Sequence, residues 1–439
     1  MKNIYFPFKS DTLPCECGKV HKIPSTKILV GKGAISNLED VLKSFSVKKP
    51  FILSDINTHK VAGDTVEQLL SKLGCTFSSY TFPDESLKPD EHSVGGAFMH
   101  FDASCDCIIG IGSGVINDIG KILSAVSKLP YIIVGTAPSM DGYGSGTSSM
   151  ERDGLKVSIN SKCPDCIIGD TDILKTAPDI MLQAGLGDML AKYTSLAEWR
   201  ISNLVTGEHY CERIAQMVRD ALKKCSDNAA GLLKREDAAI EAVFEGLVLA
   251  GVAMNHAGHS RPASGVEHYL SHVWDMRSLE FGTPSSLHGI QCAIGTHIAA
   301  RMFEKLKTIT PDREKAIRSV EAFDKEAWYA RLEEFIGKGA KTMIEAEKKD
   351  GKYDPEKHKA RLEIILQNWD SIISFVNDEI PSAKFIGDIL DSIGAPKEMS
   401  DIGIDEAILP DTFRATSDIR DKYVLSRLAF DLGIREDLL

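Results

Sequence analysis

Short apolar runs rich in isoleucine and valine recur through the first 175 residues, each closed by turn residues. They are KILV (27–30), PFILSD (50–55), CDCIIGIG (105–112), YIIVG (131–135) and IIGD (167–170). Continuous apolar runs of this length predict strands buried on both faces of a parallel sheet. Between them, DTVEQLLSKLG (64–74) and NDIGKILSAVSK (117–128) space their apolar residues with a helical period. The first stops at Gly74 and the second follows a glycine-rich turn. Strand and helix alternate with short links, which predicts a doubly wound α/β domain. The polar stretch 145–160 has β-leaning ends around Asp153-Gly154 and predicts a β-hairpin.

Past residue 175 the period changes. Thr176-Ala177-Pro178-Asp179 reads as a helix start, with a capping threonine, an early proline and an acid three residues on. From there to the C-terminus nearly every segment repeats at 3.6 residues. The expected organisation is an α/β parallel-sheet domain over 1–175 and an all-helical domain over 176–439, with a cleft as the expected place for a site. Residues 304–378 are highly charged and carry no chemical motif, so they read as a solvated helical hairpin.

At 439 residues the chain exceeds the size of one hydrophobic core, in keeping with two domains. Its 43% hydrophobic and 26% charged residues are those of a globular enzyme. No apolar run reaches the ~20 residues of a transmembrane helix, and the leading segment has no continuous apolar stretch of a signal peptide. A cytoplasmic protein without membrane insertion is expected. The net charge of −12 argues against a nucleic-acid partner but leaves room for a small anionic substrate. The ten cysteines are scattered, as reduced thiols are. Cys15 and Cys17 lie near His21 in CECGKVH, but one such knuckle without a second cluster reads as structural or incidental. Cys163 and Cys166 lack the βαβ setting of a redox pair.

Three constellations carry chemistry. Gly110-Ile111-Gly112-Ser113-Gly114-Val115-Ile116-Asn117-Asp118 joins a strand to a helix, where glycines and a helix N-terminus suit a pyrophosphate, although the spacing is not G-x-G-x-x-G. Asp55 ends an earlier strand, where an acid serves either an adenosine ribose or a helix cap. The second is the hydroxyl- and glycine-rich loop from Gly135 to Gly146, at a strand's carboxyl end. The third brings Asp188 one turn before Lys192, His268 one turn before His272, and His288 at the start of another helical pattern. A carboxylate and imidazoles from three helices suit a metal with open positions, though histidines on helices are more often structural.

The ordered motifs GIGSGVINDIGK, TAPSMDGYGSG, GLGDMLAKYTSLAEW, SRPASGVEHYLSH and LHGIQCAIG closely resemble those of the sn-glycerol-1-phosphate dehydrogenases, in the dehydroquinate synthase-like and metal-containing alcohol dehydrogenase superfamily. The likeness runs from about Lys27 to Ala300 and resumes near Ser400 with DIGIDEAI and IRDKYVLSRLAFDLGI. It implies a Rossmann-like N-terminal domain and a helical C-terminal domain. It also implies that Asp188, His268 and His288 hold a divalent metal, with His272 and Asp141 facing the substrate and Asp188 close to it. For the dinucleotide it implies Asp55, Gly114, Val115, Ile116, Asn117, Asp118, Thr136, Ala137, Pro138, Ser139 and Ser145.

The activity so implied is reduction of dihydroxyacetone phosphate by NADH or NADPH, in a homodimer or other homo-oligomer, with zinc, nickel or iron as the metal. Lys156, Lys192 and Arg261 are candidates for the substrate phosphate. Alternatives are a dehydrogenase of glycerol or another polyol, a dehydroquinate synthase-like cyclase, and a non-catalytic nucleotide-binding module. The cyclases usually carry glutamate where this chain has Asp188.

Overall fold

The computed structural model describes residues 2–3, 15–21, 25–153 and 155–439. Nine strands appear among them: β1 (Lys2–Asn3), β2 (Lys27–Gly31), β3 (Pro50–Asp55), β4 (Ser78–Phe82), β5 (Cys107–Gly112), β6 (Tyr131–Gly135), β7 (Thr147–Arg152), β8 (Leu155–Asn160) and β9 (Cys166–Asp170). Seven of them form one sheet in the order β1-β2-β9-β6-β5-β3-β4. All its pairings are parallel except that of β1 with β2. Every residue of β5, β6 and β9 is buried, as their unbroken apolar sequences require. β4 was not legible in the sequence. It is an edge strand with only Phe82 buried, so SSYTF needs no apolar run.

The predicted hairpin is β7 paired antiparallel with β8, closing at Arg152 opposite Leu155. Gly154 of its turn lies outside the described residues, as does most of the leading segment 1–19. The helix begins at Asp179 and runs to Leu190, and the Thr176 hydroxyl before it donates back to the Ile173 carbonyl at 2.7 Å. Among the described residues no strand follows Asp170, and the chain continues as helices. No helix is long and apolar enough to cross a membrane, among the described residues.

The chain packs as two compact units, Met1–Met189 with Gln216–His259, and Leu190–Ala215 with Ser260–Leu439. This division does not follow one cut at residue 175. The reason lies in the helix Asp237–Ala257, whose Phe244 ring occupies the space that side chains on Gly135 and Gly169 would take, at 2.9 and 2.2 Å. An apolar helix from late in the chain thus completes the sheet's cover.

The segment 304–378 is not a solvated hairpin. It forms helices Arg313–Glu321, Lys325–Ile336, Gly339–Asp350 and Pro355–Gln367, and it enters that running Trp369–Glu379. Trp328, Tyr329, Leu332, Phe335 and Met343 pack in one core with Val273, Ala415 and Phe430. Its charges hid apolar positions that serve the second unit's interior.

Candidate active site

In the first unit, the sheet order reverses between β3 and β5, because β4 lies beyond β3 while β6 lies beyond β5. Loops leaving the carboxyl ends at such a point form the usual ligand crevice of an open α/β sheet. Asp55 ends β3 and Gly112 ends β5 opposite Gly135 of β6. The expected dinucleotide residues therefore share this edge. The helix Gly114–Ser127 starts there with no side-chain cap from Ser113, so its positive end is not spent on its own side chain. Gly112 serves close packing, since a Cβ there would lie 2.5 Å from Cβ of Ile116.

Asp55 is a helix cap in this structure. One carboxylate oxygen accepts from the amides of Asn57 and Thr58 at 2.8 and 2.9 Å, and the Asp55 amide donates to the Thr58 hydroxyl at 3.0 Å. Asn117 is fully buried and donates to the Gly142 carbonyl at 3.2 Å. Asp118 is tied to Lys121 at 2.8 Å and to the Ser149 amide. Burial pushes the Asp118 carboxyl up, against the pull of Lys121.

Lys121 was missed in the sequence. Its buried ammonium donates to the carbonyls of Gly142 and Thr147 and to Ser145, so it organises the loop from within. The signal available was its position three residues after Asp118 on one helix face.

Thr136, Ala137, Ser139 and Ser145 are buried in that loop. Tyr143 donates to the Ala137 carbonyl at 2.7 Å, and the Pro138 carbonyl fills the space beside Gly185. The Asp141 amide donates to the Asp188 carboxylate at 2.9 Å, joining two predicted substrate-side residues within this unit. Asp188 is fully buried.

In the second unit, three predicted histidines converge. The helix Val266–Phe281 carries His268 and His272, and His288 opens the helix His288–Leu306. Ring centroids are 5.1 Å apart for His268 and His288, 5.8 Å for His272 and His288, and 6.5 Å for His268 and His272. His268 and His288 each offer a ligand atom within 4.8 Å of the other and of the Cys292 sulfur. Cys292 lies one turn after His288, buried, and sequence reasoning passed over it although HGIQC carries that spacing.

The surroundings set which ring nitrogens face inward. His268 Nδ1 lies 2.9 Å from Glu267 Oε1, and His288 Nδ1 lies 3.2 Å from the Ser271 hydroxyl. Carboxylates and hydroxyls behind imidazoles fix the tautomer and raise the basicity of the other nitrogen, as metal sites require. Burial works to push Glu267 up, but His268, Thr194 and the Gly265 amide outweigh it and hold the carboxyl below its ordinary range. Glu198 beside it goes the other way, pushed up by burial and by the charge of Glu267.

The donor set therefore fits a divalent ion. One further combination, His272 with Asp275 and His288, also gathers within 4.8 Å. Arg261 is not available for a phosphate. It is buried and commits its guanidinium to Glu208, the Tyr423 carbonyl and Ser202. Lys192 is fully buried, and Lys156 lies on β8 of the hairpin. Cys163 and Cys166 are free thiols whose burial raises them, Cys166 to about 12, as expected of unreactive sulfur.

Comparison with known proteins accords with this chemistry. Residues 29–178 match the family described as iron-containing alcohol dehydrogenase. The chain is 29% identical to a glycerol-1-phosphate dehydrogenase (NAD(P)+) of Halalkalibacterium halodurans, over 94% of each protein. It is 34% identical to the enzyme of that name from Bacillus subtilis, over 69% of this chain and 79% of the relative. The glycerol dehydrogenase structure from Schizosaccharomyces pombe shares the fold at a TM-score of 0.59, with 18% identity, over 96% of this chain and 91% of that one. The ordered motifs, the parallel-sheet unit and the paired histidines meet here: the chain belongs to the NAD(P)-dependent glycerol-1-phosphate dehydrogenases of the metal-containing alcohol dehydrogenase family.

Proposed function

We propose that this protein reduces dihydroxyacetone phosphate to sn-glycerol 1-phosphate with NADH or NADPH, at a divalent metal held by Asp188, His268 and His288. The observation that carries the reading is the His268–His288 pair, each ring backed at Nδ1 by Glu267 or Ser271, in a chain of this family. When bound, the metal supplies Lewis acidity at the substrate carbonyl and the dinucleotide supplies hydride.

The chain's own residues do the rest. Glu267 and Ser271 keep Nε2 of His268 and His288 as lone-pair donors. The Asp141 amide orients the Asp188 carboxylate. His272, one turn from His268 and stacked against His288 at an interplanar angle of 14°, delivers the proton to the substrate's C2 oxygen. The first turn at Gly114 to Asn117 and the loop residues Thr136, Ala137, Pro138, Ser139 and Ser145 cradle the dinucleotide. Asp55 has a second carboxylate oxygen for a ribose hydroxyl, which favours NADH. Asp118 shapes the loop through Lys121.

One carboxylate and two imidazoles accept zinc, nickel or ferrous iron alike. The protein works in the cytoplasm as a homodimer, which light scattering of the purified enzyme checks.

The deciding assay is oxidation of NADH and NADPH with dihydroxyacetone phosphate, beside dihydroxyacetone and glyceraldehyde 3-phosphate, on protein of measured metal content. Steady turnover with dihydroxyacetone phosphate alone is the expected result. Equal turnover of dihydroxyacetone would move the assignment to a polyol dehydrogenase. His272→Ala should lose turnover while keeping its metal; loss of the metal would make His272 a ligand, with Asp275 and His288.

A further inference from the structure

The sequence CECGKVH, which no part of the reductase site uses, folds into a small closed turn. The Cys15 amide donates to the Lys19 carbonyl at 2.7 Å, and the Gly18 amide donates back to the Cys15 carbonyl at 2.8 Å. Gly18 sits at φ +83°, a conformation that glycine adopts without strain. The turn returns the chain so that one ligand atom each from Cys15, Cys17 and His21 lie within 4.8 Å of one another. Cys17 Sγ is 3.1 Å from His21 Nε2, and neither cysteine is in a disulfide. His21 is buried, and its Nδ1 lies 3.0 Å from the backbone carbonyl of His256.

We propose that Cys15, Cys17 and His21 form a second metal site, distinct from the reductase centre and suited to zinc. The imidazole is set for this role. Donation from Nδ1 to a carbonyl fixes the tautomer and leaves Nε2 as the lone-pair nitrogen, turned toward the Cys17 sulfur. Sulfur at about 2.3 Å and nitrogen at about 2.0 Å from a tetrahedral zinc are about 3.5 Å apart. The 3.1 Å separation therefore needs only a few tenths of an ångström of opening. Two thiolates and an imidazole select zinc over magnesium or calcium, and a further donor or water fills the fourth position. The site is structural. His256 closes the helix Asp237–Ala257, so the ion ties the N-terminal turn to the end of that helix. The same helix bears Gly251, where a Cβ would lie 2.6 Å from the Asp141 carbonyl, so the clip braces the wall of the dinucleotide loop. Binding releases a proton from each thiol that is protonated, and no redox step is involved.

The test uses the full-length protein, stripped of metal and reloaded with zinc or cobalt. The wild type should bind one more zinc per chain than the Cys15→Ser/Cys17→Ser variant. Cobalt-loaded wild type should show a thiolate-to-cobalt charge-transfer band that the double variant lacks. Cys292→Ser, which removes the thiol near His288, should keep that band, so the result stands even where the double variant folds poorly. Equal zinc counts in folded wild type and double variant would overturn the proposal. So would a band lost entirely in Cys292→Ser, or a Cys15–Cys17 disulfide in the freshly purified protein.

Discussion

Replacing Glu267 by glutamine tests the proposed reductase site at the group behind His268, one of its proposed metal ligands. Glu267 is fully buried and accepts from three sources: His268 Nδ1 at 2.9 Å, the Thr194 hydroxyl at 2.5 Å and the Gly265 amide at 2.6 Å. Glutamine keeps the shape, removes the charge and turns one acceptor oxygen into an NH2 donor. The imidazole then loses its anionic partner, while the NH2 in place of Oε2 can donate to the Thr194 hydroxyl, which donates on to the Ala191 carbonyl at 2.9 Å. Loss of such a partner typically weakens metal affinity or activity 10–100-fold, which is about 1.4 to 2.8 kcal/mol. The assay is competition between the protein and a chelator of known affinity, well below the melting temperature, beside kcat/KM at saturating metal. Thr194→Val serves as the control, because it removes one bond to Glu267 without touching His268. It should lower the melting temperature with little change in metal affinity. If Glu267→Gln bound metal as tightly as the wild type while melting lower, the carboxylate would be packing support and not a positioning group.

Other substitutions probe the first unit and the buried charges. Lys121→Met leaves the Asp118 carboxylate without its ion-pair partner and removes the ammonium's bonds to the Gly142 and Thr147 carbonyls, so it should cost about 3–5 kcal/mol in chemical denaturation. Asp55→Ala removes a helix cap worth about 1 kcal/mol and should raise KM for NADH more than for NADPH. An unchanged KM with a lowered melting temperature would make Asp55 a cap alone. Lys422 is buried, donates to the Ser264 carbonyl, and is pushed down to about 7, first by burial and then by Arg261 and Arg420. Between about pH 7 and its unfolded value of 10.5 the unfolded chain holds the extra proton, so stability rises with pH across that window. Lys422→Met should therefore stabilise the protein at pH 6.5 by up to about 4 kcal/mol and by much less near pH 10, read as denaturation midpoints.

The sheet was legible because β5, β6 and β9 are buried on both faces and must be apolar throughout, while β4 at the edge left no such trace. The histidines were legible as i, i+4 spacing, but only the ordered motifs gave them a role. The groups behind them were not, because Glu267 and Ser271 act through contacts that spacing does not encode. Lys121 escaped for a related reason: a lysine on a helix reads as surface until the loop that receives its ammonium is known. Residues 304–378 show the converse error, since their charge concealed Trp328, Leu332 and Phe335.

The chain crosses between its two units three times, at Met189–Leu190, Ala215–Gln216 and His259–Ser260. During synthesis the six parallel strands leave the ribosome long before the helix Asp237–Ala257 that lays Phe244 over Gly135 and Gly169. The nascent sheet must wait with that apolar face uncovered, a state prone to association with other chains. A fragment ending at residue 189 should accordingly aggregate, and one extended to residue 259 should remain soluble. The order in which the gene presents its helices thus governs when the dinucleotide fold first becomes safe from its neighbours.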